Sequence, residues 1–141
     1  MYNSNEFHTL KGYQLGTNRE ITSSMEDYLE MICRISKDEK NIRIKLLASK
    51  LNVKPSSATK MVGNLKKLGF VTYEKYGVIS PTEKGWTLGN YLLYRHEIIH
   101  QFLCMINESN SELEQTEQIE HFIDKRTVEN LEILIKKIKC T

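Results

Sequence analysis

Several hallmarks of membrane, secreted and catalytic proteins are missing from this chain. No run approaches the roughly 18 apolar residues of a membrane-spanning helix. The opening residues, MYNSNEFHTLKGYQLG, are polar and hold no apolar stretch, so no secretory leader is expected. Three cysteines, Cys33, Cys104 and Cys140, lie far apart. That spacing makes neither a disulfide framework nor a C-x-x-C metal knuckle, and it points to the reducing cytoplasm. There is no glycine-rich phosphate loop, and no Ser/His/Asp or Cys/His set stands out.

What is present is one average domain's worth of chain, or two small lobes: 141 residues, 40% hydrophobic and 27% charged. The net charge of +2 conceals an asymmetry. Residues 1–85 hold 14 Lys/Arg against 9 Asp/Glu, whereas residues 86–141 hold 6 against 9. The window 41–76 carries eight basic side chains against Glu74 alone. A basic front half suggests a lobe that binds a polyanion, and an acidic back half suggests another task. An uneven but solvated surface is the plainer alternative.

Local signals give the elements. Residues 1–20 show no firm periodicity and read as an arm, anchored by Phe7, Leu10 and Tyr13. Ser23 or Ser24 offers an N-cap, with acidic residues three positions on. Met25, Tyr28, Leu29, Ile32 and Cys33 recur at helical spacing, which predicts a helix over about 24–36. Ile44–Leu51 is a second, short amphipathic helix, and Asn52–Lys54 is a turn. Pro55 suits the first turn of a third helix over about 55–68, which Gly69 stops. Phe70–Lys75 and Val78–Ser80 read as two strands joined at Tyr76-Gly77, and Pro81 fits only an edge position.

Three helices and a two-stranded ribbon, in that order, form a winged helix-turn-helix pattern, and the basic window lies inside it. The remainder is helical: about 86–106, then Ser111 or Glu112 to about Ile123, then a last helix capped by Thr127. These three helices carry more apolar surface than they can bury alone, so a two-fold dimer is expected. The fold class is therefore mainly α: a winged helix-turn-helix with a two-stranded wing, followed by an all-helical dimerisation domain. The expected boundaries are 1–21 for the arm, 22–84 for the DNA-binding unit and 85–141 for the helical unit.

Candidate chemical groups are weak when taken singly. Asp27 and Glu30 are neighbours on the first helix, opposite its apolar stripe, where a solvated face with a Glu30–Arg34 pair is the plain reading. Glu117, Glu120 and His121 form E-x-x-E-H on one helix surface. Carboxylates with an imidazole suit Mn²⁺, Fe²⁺ or Zn²⁺, but an exposed acidic helix has the same appearance. His96 and His100, four apart, can chelate or simply hydrogen-bond.

Together the segments S-M-E-D-Y-L-E (24–30), K-P-S-S-A-T-K-M-V (54–62), Y-E-K-Y (73–76), Y-R-H-E (94–97) and I-E-H (119–121) carry a resemblance. Over about residues 22–139 the chain resembles the metal-dependent repressors of the diphtheria toxin repressor family, and it looks closest to the manganese transport regulator branch. The resemblance implies a metal site between the first helix and the dimerisation helices, with Asp27, Glu30, His96, Glu117, Glu120 and His121 as ligands. It also implies Mn²⁺ as cofactor, a pair of ions per subunit, with Fe²⁺, Co²⁺ or Zn²⁺ as possible substitutes. Iron-responsive relatives carry methionine where Asp27 stands and cysteine where Glu117 stands. Oxygen ligands at both places favour Mn²⁺. His100 departs from the glutamate that relatives often carry there.

The expected function is a metal-dependent repressor of metal-uptake genes, a homodimer on double-stranded operator DNA, with no enzymatic activity and no membrane partner. Pro55, Ser56, Ser57, Thr59 and Lys60 are expected at bases or phosphates, and Lys54, Lys66 and Lys75 mainly at phosphates. The alternatives are an Fe²⁺-responsive repressor, a winged-helix regulator that answers a small organic ligand, and a di-metal helical enzyme.

Overall fold

In a computed structural model, the described residues are Asn5 and 21–140. The expected anchors of the arm, Phe7, Leu10 and Tyr13, lie outside them. Helix α1 (Ser23–Ser36) starts one residue earlier than the serines suggested. Thr22 is the N-cap, and its hydroxyl accepts the Met25 N–H at 3.1 Å. Helix α2 (Ile44–Leu51) ends on Asn52, which turns the chain in the left-handed region at φ 55°. Helix α3 (Pro55–Lys67) opens on its proline, where no N–H is needed. Gly69, at φ 83°, then releases the chain into the wing.

The wing is shorter than the pattern suggested. Strands β1 (Val71–Tyr73) and β2 (Ile79–Pro81) pair antiparallel, with Val71 opposite Pro81 and Tyr73 opposite Ile79. Its far edge is bridged by Ile42, whose carbonyl accepts the Ile79 N–H at 2.7 Å. Tyr76, at φ 61° and 82% exposed, forms the tip.

Helix α4 (Glu83–Asn107) is capped by Thr82, which accepts the Gly85 N–H. It is one rod shared by both lobes. Its first turns pack against α1, and its later turns carry the second lobe. Helix α5 (Leu113–Ile119) runs into a tight 3₁₀ turn at Glu120–Phe122, so the expected helix to Ile123 is split in two. Helix α6 (Lys125–Lys139) is capped by Asp124, which accepts the Thr127 N–H at 2.8 Å. Thr127 is thus the donor in that cap, and its hydroxyl is not the capping group.

The first core gathers Leu29, Ile32, Leu47, Val62, Leu65, Ile79 and Leu92. Each such side chain contributes roughly 1.5–3 kcal/mol by leaving water. The second core is small: Ile98, Ile99, Leu103, Val128 and Ile135. Around it Ile106, Leu113, Phe122, Ile133, Leu134 and Ile138 remain exposed, a large apolar surface for one copy of the chain.

The plain local reading of the acidic side of α1 does not hold, and the placement between the lobes that the resemblance implies is the one that agrees with its burial. Asp27 and Glu30 do lie off the apolar stripe, but that face is not solvated. Glu30 is 5% exposed and Glu26 is 8% exposed. The reason is that α1 is covered on two sides: its apolar stripe meets the first core, and its acidic side meets α4 and the turn after α5.

Candidate metal centre

Three separate pieces of chain converge on the acidic side of α1. The first turns of α1 bring Asp27 and Glu30, one helical turn apart. The middle of α4 brings His96. The end of α5 and the 3₁₀ turn bring Glu117, Glu120 and His121. All six candidate ligands meet there. His96 Nδ1 lies 3.0 Å from Glu120 Oε2, 3.2 Å from Glu117 Oε1 and 3.8 Å from Glu30 Oε1. His121 Nε2 lies 2.8 Å from Asp27 Oδ1 and 3.9 Å from Glu120 Oε1.

The ligand atoms fall into two overlapping groups. One holds Glu30, His96, Glu117 and Glu120; the other holds Asp27, Glu120 and His121. Within each group the ligand atoms lie within 4.8 Å of one another. Glu120 belongs to both and is fully buried.

The electrostatics of this cluster are those of charges short of a counter-charge. Burial, reinforced by the Glu120 and Glu117 carboxylates, raises the Glu30 carboxyl to about 7. The Glu117 and Glu120 carboxylates against its ring raise His96 to about 10. Asp27 and Glu26 raise His121 to about 9. Glu120 Oε1 is buried and makes no hydrogen bond among the described residues. A buried carboxylate oxygen without a donor is costly, and a cation satisfies it. Hard oxygens with borderline imidazoles also match the donor set of Mn²⁺, Fe²⁺ or Zn²⁺. The residues present therefore fit a divalent ion.

The pattern reading missed two residues here. Glu26 and Arg95 are buried beside the cluster, and Arg95 Nη2 lies 3.4 Å from Glu26 Oε1. Both occur in the quoted segments, each next to a candidate ligand. The available signal was a charged residue placed where its own helix must be covered. His100 has another role: its Nε2 accepts the Glu112 N–H at 3.1 Å, ahead of α5. Cys104 Sγ lies 3.6 Å from the same nitrogen. Arg34 pairs with Glu30 at 3.1 Å, as the four-residue spacing suggested.

In the first lobe, Lys54, Pro55, Ser56, Ser57, Thr59 and Lys60 are all exposed along the start of α3. Lys75 is exposed on the wing beside the Tyr76 ring. Two of the candidate contacts are already engaged. Thr59 donates its hydroxyl to the Pro55 carbonyl at 3.0 Å. Lys66 donates to the Tyr73 carbonyl at 2.7 Å and lies 3.7 Å from Glu74, so it braces the wing.

A basic winged helix joined to a second lobe through a buried carboxylate–imidazole cluster defines a metal-responsive DNA-binding regulator. Residues 20–79 match the iron dependent repressor N-terminal DNA binding domain, and residues 82–140 match the iron dependent repressor metal binding and dimerisation domain. The chain belongs to the iron-dependent repressor family. It is 38% identical over 116 residues to the HTH-type transcriptional regulator MntR of Geobacillus kaustophilus (strain HTA426), covering 82% of each chain. It is also similar to the solved manganese regulator SloR, at 28% identity and TM-score 0.72, over 82% of this chain and 55% of that one. ScaR with bound Zn²⁺ matches at 26% identity and TM-score 0.66, over 79% of this chain and 53% of that one. The chain thus spans about half the length of these two solved relatives. It is a transcriptional regulator and not an enzyme, with a DNA-binding domain, a domain for a divalent metal and for dimerisation, and no described helix long and apolar enough to cross a membrane.

Proposed function

We propose that this protein is a manganese-responsive repressor that acts in the cytoplasm as a homodimer on double-stranded operator DNA. The carrying observation is the convergence of Asp27, Glu30, His96, Glu117, Glu120 and His121, with Glu120 common to two ligand groups. Glu30, His96, Glu117 and Glu120 would hold one ion, and Asp27, Glu120 and His121 would hold a second. The oxygen-rich set, and the names of the MntR and SloR relatives, support Mn²⁺. Fe²⁺, Co²⁺ and Zn²⁺ compete for the same donors, since raw affinity runs against manganese.

A bound divalent ion supplies positive charge to four mutually repelling carboxylates. The residues do the rest. Asp27 and Glu30 belong to the DNA-binding unit (22–84), and His96, Glu117, Glu120 and His121 belong to the dimerising unit (85–141). Holding the six together fixes the stretch 113–122 against α1 and α4. In a dimer this sets the spacing of the two α3 helices, which read successive major grooves about 34 Å apart. Pro55, Ser56, Ser57, Thr59 and Lys60 then face bases or phosphates, and Lys54, Lys66 and Lys75 meet phosphates. The exposed apolar side chains of the second lobe support a second copy as their cover.

The test is binding to DNA upstream of metal-uptake genes of the source organism, followed by fluorescence anisotropy. Mn²⁺, Fe²⁺ and Zn²⁺ are each added with and without chelator. A gain of roughly 5–150-fold on adding metal is expected. An affinity indifferent to chelation overturns the proposal.

A further inference from the structure

The two ring nitrogens of His121 face different surroundings. Nε2 points into the cluster, 2.8 Å from Asp27 Oδ1. Nδ1 points away from it, 2.9 Å from Glu26 Oε1 and 3.2 Å from Arg95 Nη2. Arg95 Nη2 in turn lies 3.4 Å from the same Glu26 oxygen. All three side chains are buried. They come from the first turn of α1, the middle of α4 and the turn before α6, so the trio closes across three elements. Glu26 stands outside both ligand groups, on the far side of the imidazole.

An imidazole that offers the Nε2 lone pair to a cation must carry its proton on Nδ1, and that proton needs an acceptor. Arg95 cannot serve, because a guanidinium only donates. Glu26 Oε1 can. Arg95 then acts on Glu26, balancing its charge and fixing the position of its oxygen. If the proton sits on Nε2 instead, it meets Asp27, while Nδ1 accepts from Arg95. Both tautomers therefore have partners, and Glu26 favours the one that carries the proton on Nδ1.

We propose that Glu26, fixed by Arg95, is a positioning residue that keeps the His121 proton on Nδ1 and turns the Nε2 lone pair to the cluster, and so sets the affinity of the ion held by Asp27, Glu120 and His121. The inference rests on the metal reading above. It adds that the two ion positions are unequally supported, because His96 turns Nδ1 to the cluster and no carboxylate among the described contacts backs its outward Nε2.

The experiment is calorimetric titration of the full chain with Mn²⁺ alone, for wild type, Glu26→Gln and Glu26→Ala, with Co²⁺ absorption spectra in parallel. Gln keeps the shape and removes the charge; Ala removes the acceptor. Loss of an outer-shell partner typically weakens metal binding on the order of 10–100-fold. We expect one of two binding steps to weaken by that factor, more for Ala than for Gln, with the other step within about threefold. One component of the Co²⁺ spectrum should change, and the melting temperature of the metal-free protein should fall little for Gln. Equal weakening of both steps, or unchanged steps with a lowered metal-free melting temperature, overturns the inference. If wild type takes up two ions and both variants match it, only this inference fails. If wild type takes up none, the metal reading itself fails.

Discussion

Helix α1 meets the rest of the molecule through two unlike surfaces. Toward the start of α4 the contact is apolar and close. A Cβ placed on Gly89 would collide with Cys33 Sγ. Cys33 donates its thiol to the Gly85 carbonyl at 3.7 Å, and burial pushes that thiol up to about 12, so it stays protonated. Toward the middle of α4 and the 3₁₀ turn the contact is ionic. Carboxylates from α1 face carboxylates from α5, with two imidazoles between them. The first surface closes on apolar packing together with the Cys33 thiol bond. The second asks for a cation. One helix therefore joins a permanent seam to a conditional one, and only the conditional seam reaches residues 113–122.

The largest effect that separates the two seams is expected at Glu120. Glu120→Ala removes the carboxylate common to both ligand groups. It should abolish the metal-stimulated gain in operator affinity, while size-exclusion chromatography and circular dichroism still report a folded dimer. A variant that keeps its metal response would show that the ionic seam is not the switch.

The apolar seam should respond in the opposite way. Gly89→Ala drives a methyl into Cys33, and overpacking of this kind costs about 1–3 kcal/mol. Thermal unfolding should show the loss, with metal stoichiometry retained. Adding Cys33→Ala should restore part of the stability, because the collision is with Sγ. If the double variant is no better than the single one, the close approach is not what limits that contact.

These two seams were unequally legible in the sequence. Elements with local punctuation could be read: Pro55 at the start of α3, Gly69 at its end, and the run Ile44–Leu51. The wing was read too long, because its residues alternate beyond the stretch that pairs. The caps of α1 and α6 shifted to Thr22 and Asp124, since several neighbouring residues could cap and only the backbone decides. Read from its own helix alone, Glu30 falls on a solvated face, because a helical wheel contains no second element. Glu120 lies ninety residues away in the chain, and nothing local to α1 reports what will cover it. The six candidate ligands could be grouped only through the family resemblance. Glu26 and Arg95, outside the ligand pattern, became visible only in three dimensions.

Acidity offers a smaller and graded test. His96 and His121 sit at about 10 and about 9 in the fold, above an ordinary value of about 6.5. Their protonated forms stabilise the metal-free fold fully below about pH 6.5, and that contribution fades as pH rises through about 9 to 10. Glu30, raised to about 7, acts in the same direction, since its ionisation in the fold is disfavoured. Binding a cation requires these protons to leave, so apparent metal affinity rises with pH. The gap between Mn²⁺-loaded and metal-free melting temperatures should therefore widen from about pH 6 to about pH 8.5. A gap that narrows would break the contrast, because the ionic seam would then not be competing with protons.

The smallest effect is expected at the rim of the ionic seam. Arg34 pairs with Glu30 at 3.1 Å, but half of the arginine side chain is exposed. Such a pair on a helix contributes only about 0.3–0.5 kcal/mol. Arg34→Ala should leave the melting temperature of the metal-free protein almost unchanged. Yet the Arg34 charge is one of the groups that lower the Glu30 carboxyl, against the burial that raises it. Without it, Glu30 holds its proton more firmly at neutral pH, and a cation must displace that proton. Mn²⁺ affinity should fall by less than tenfold at pH 7, and the deficit should shrink as pH rises. A pH-independent loss would mean that Arg34 acts by packing, and Glu30 would then lie outside the proton competition that sets the ionic seam apart.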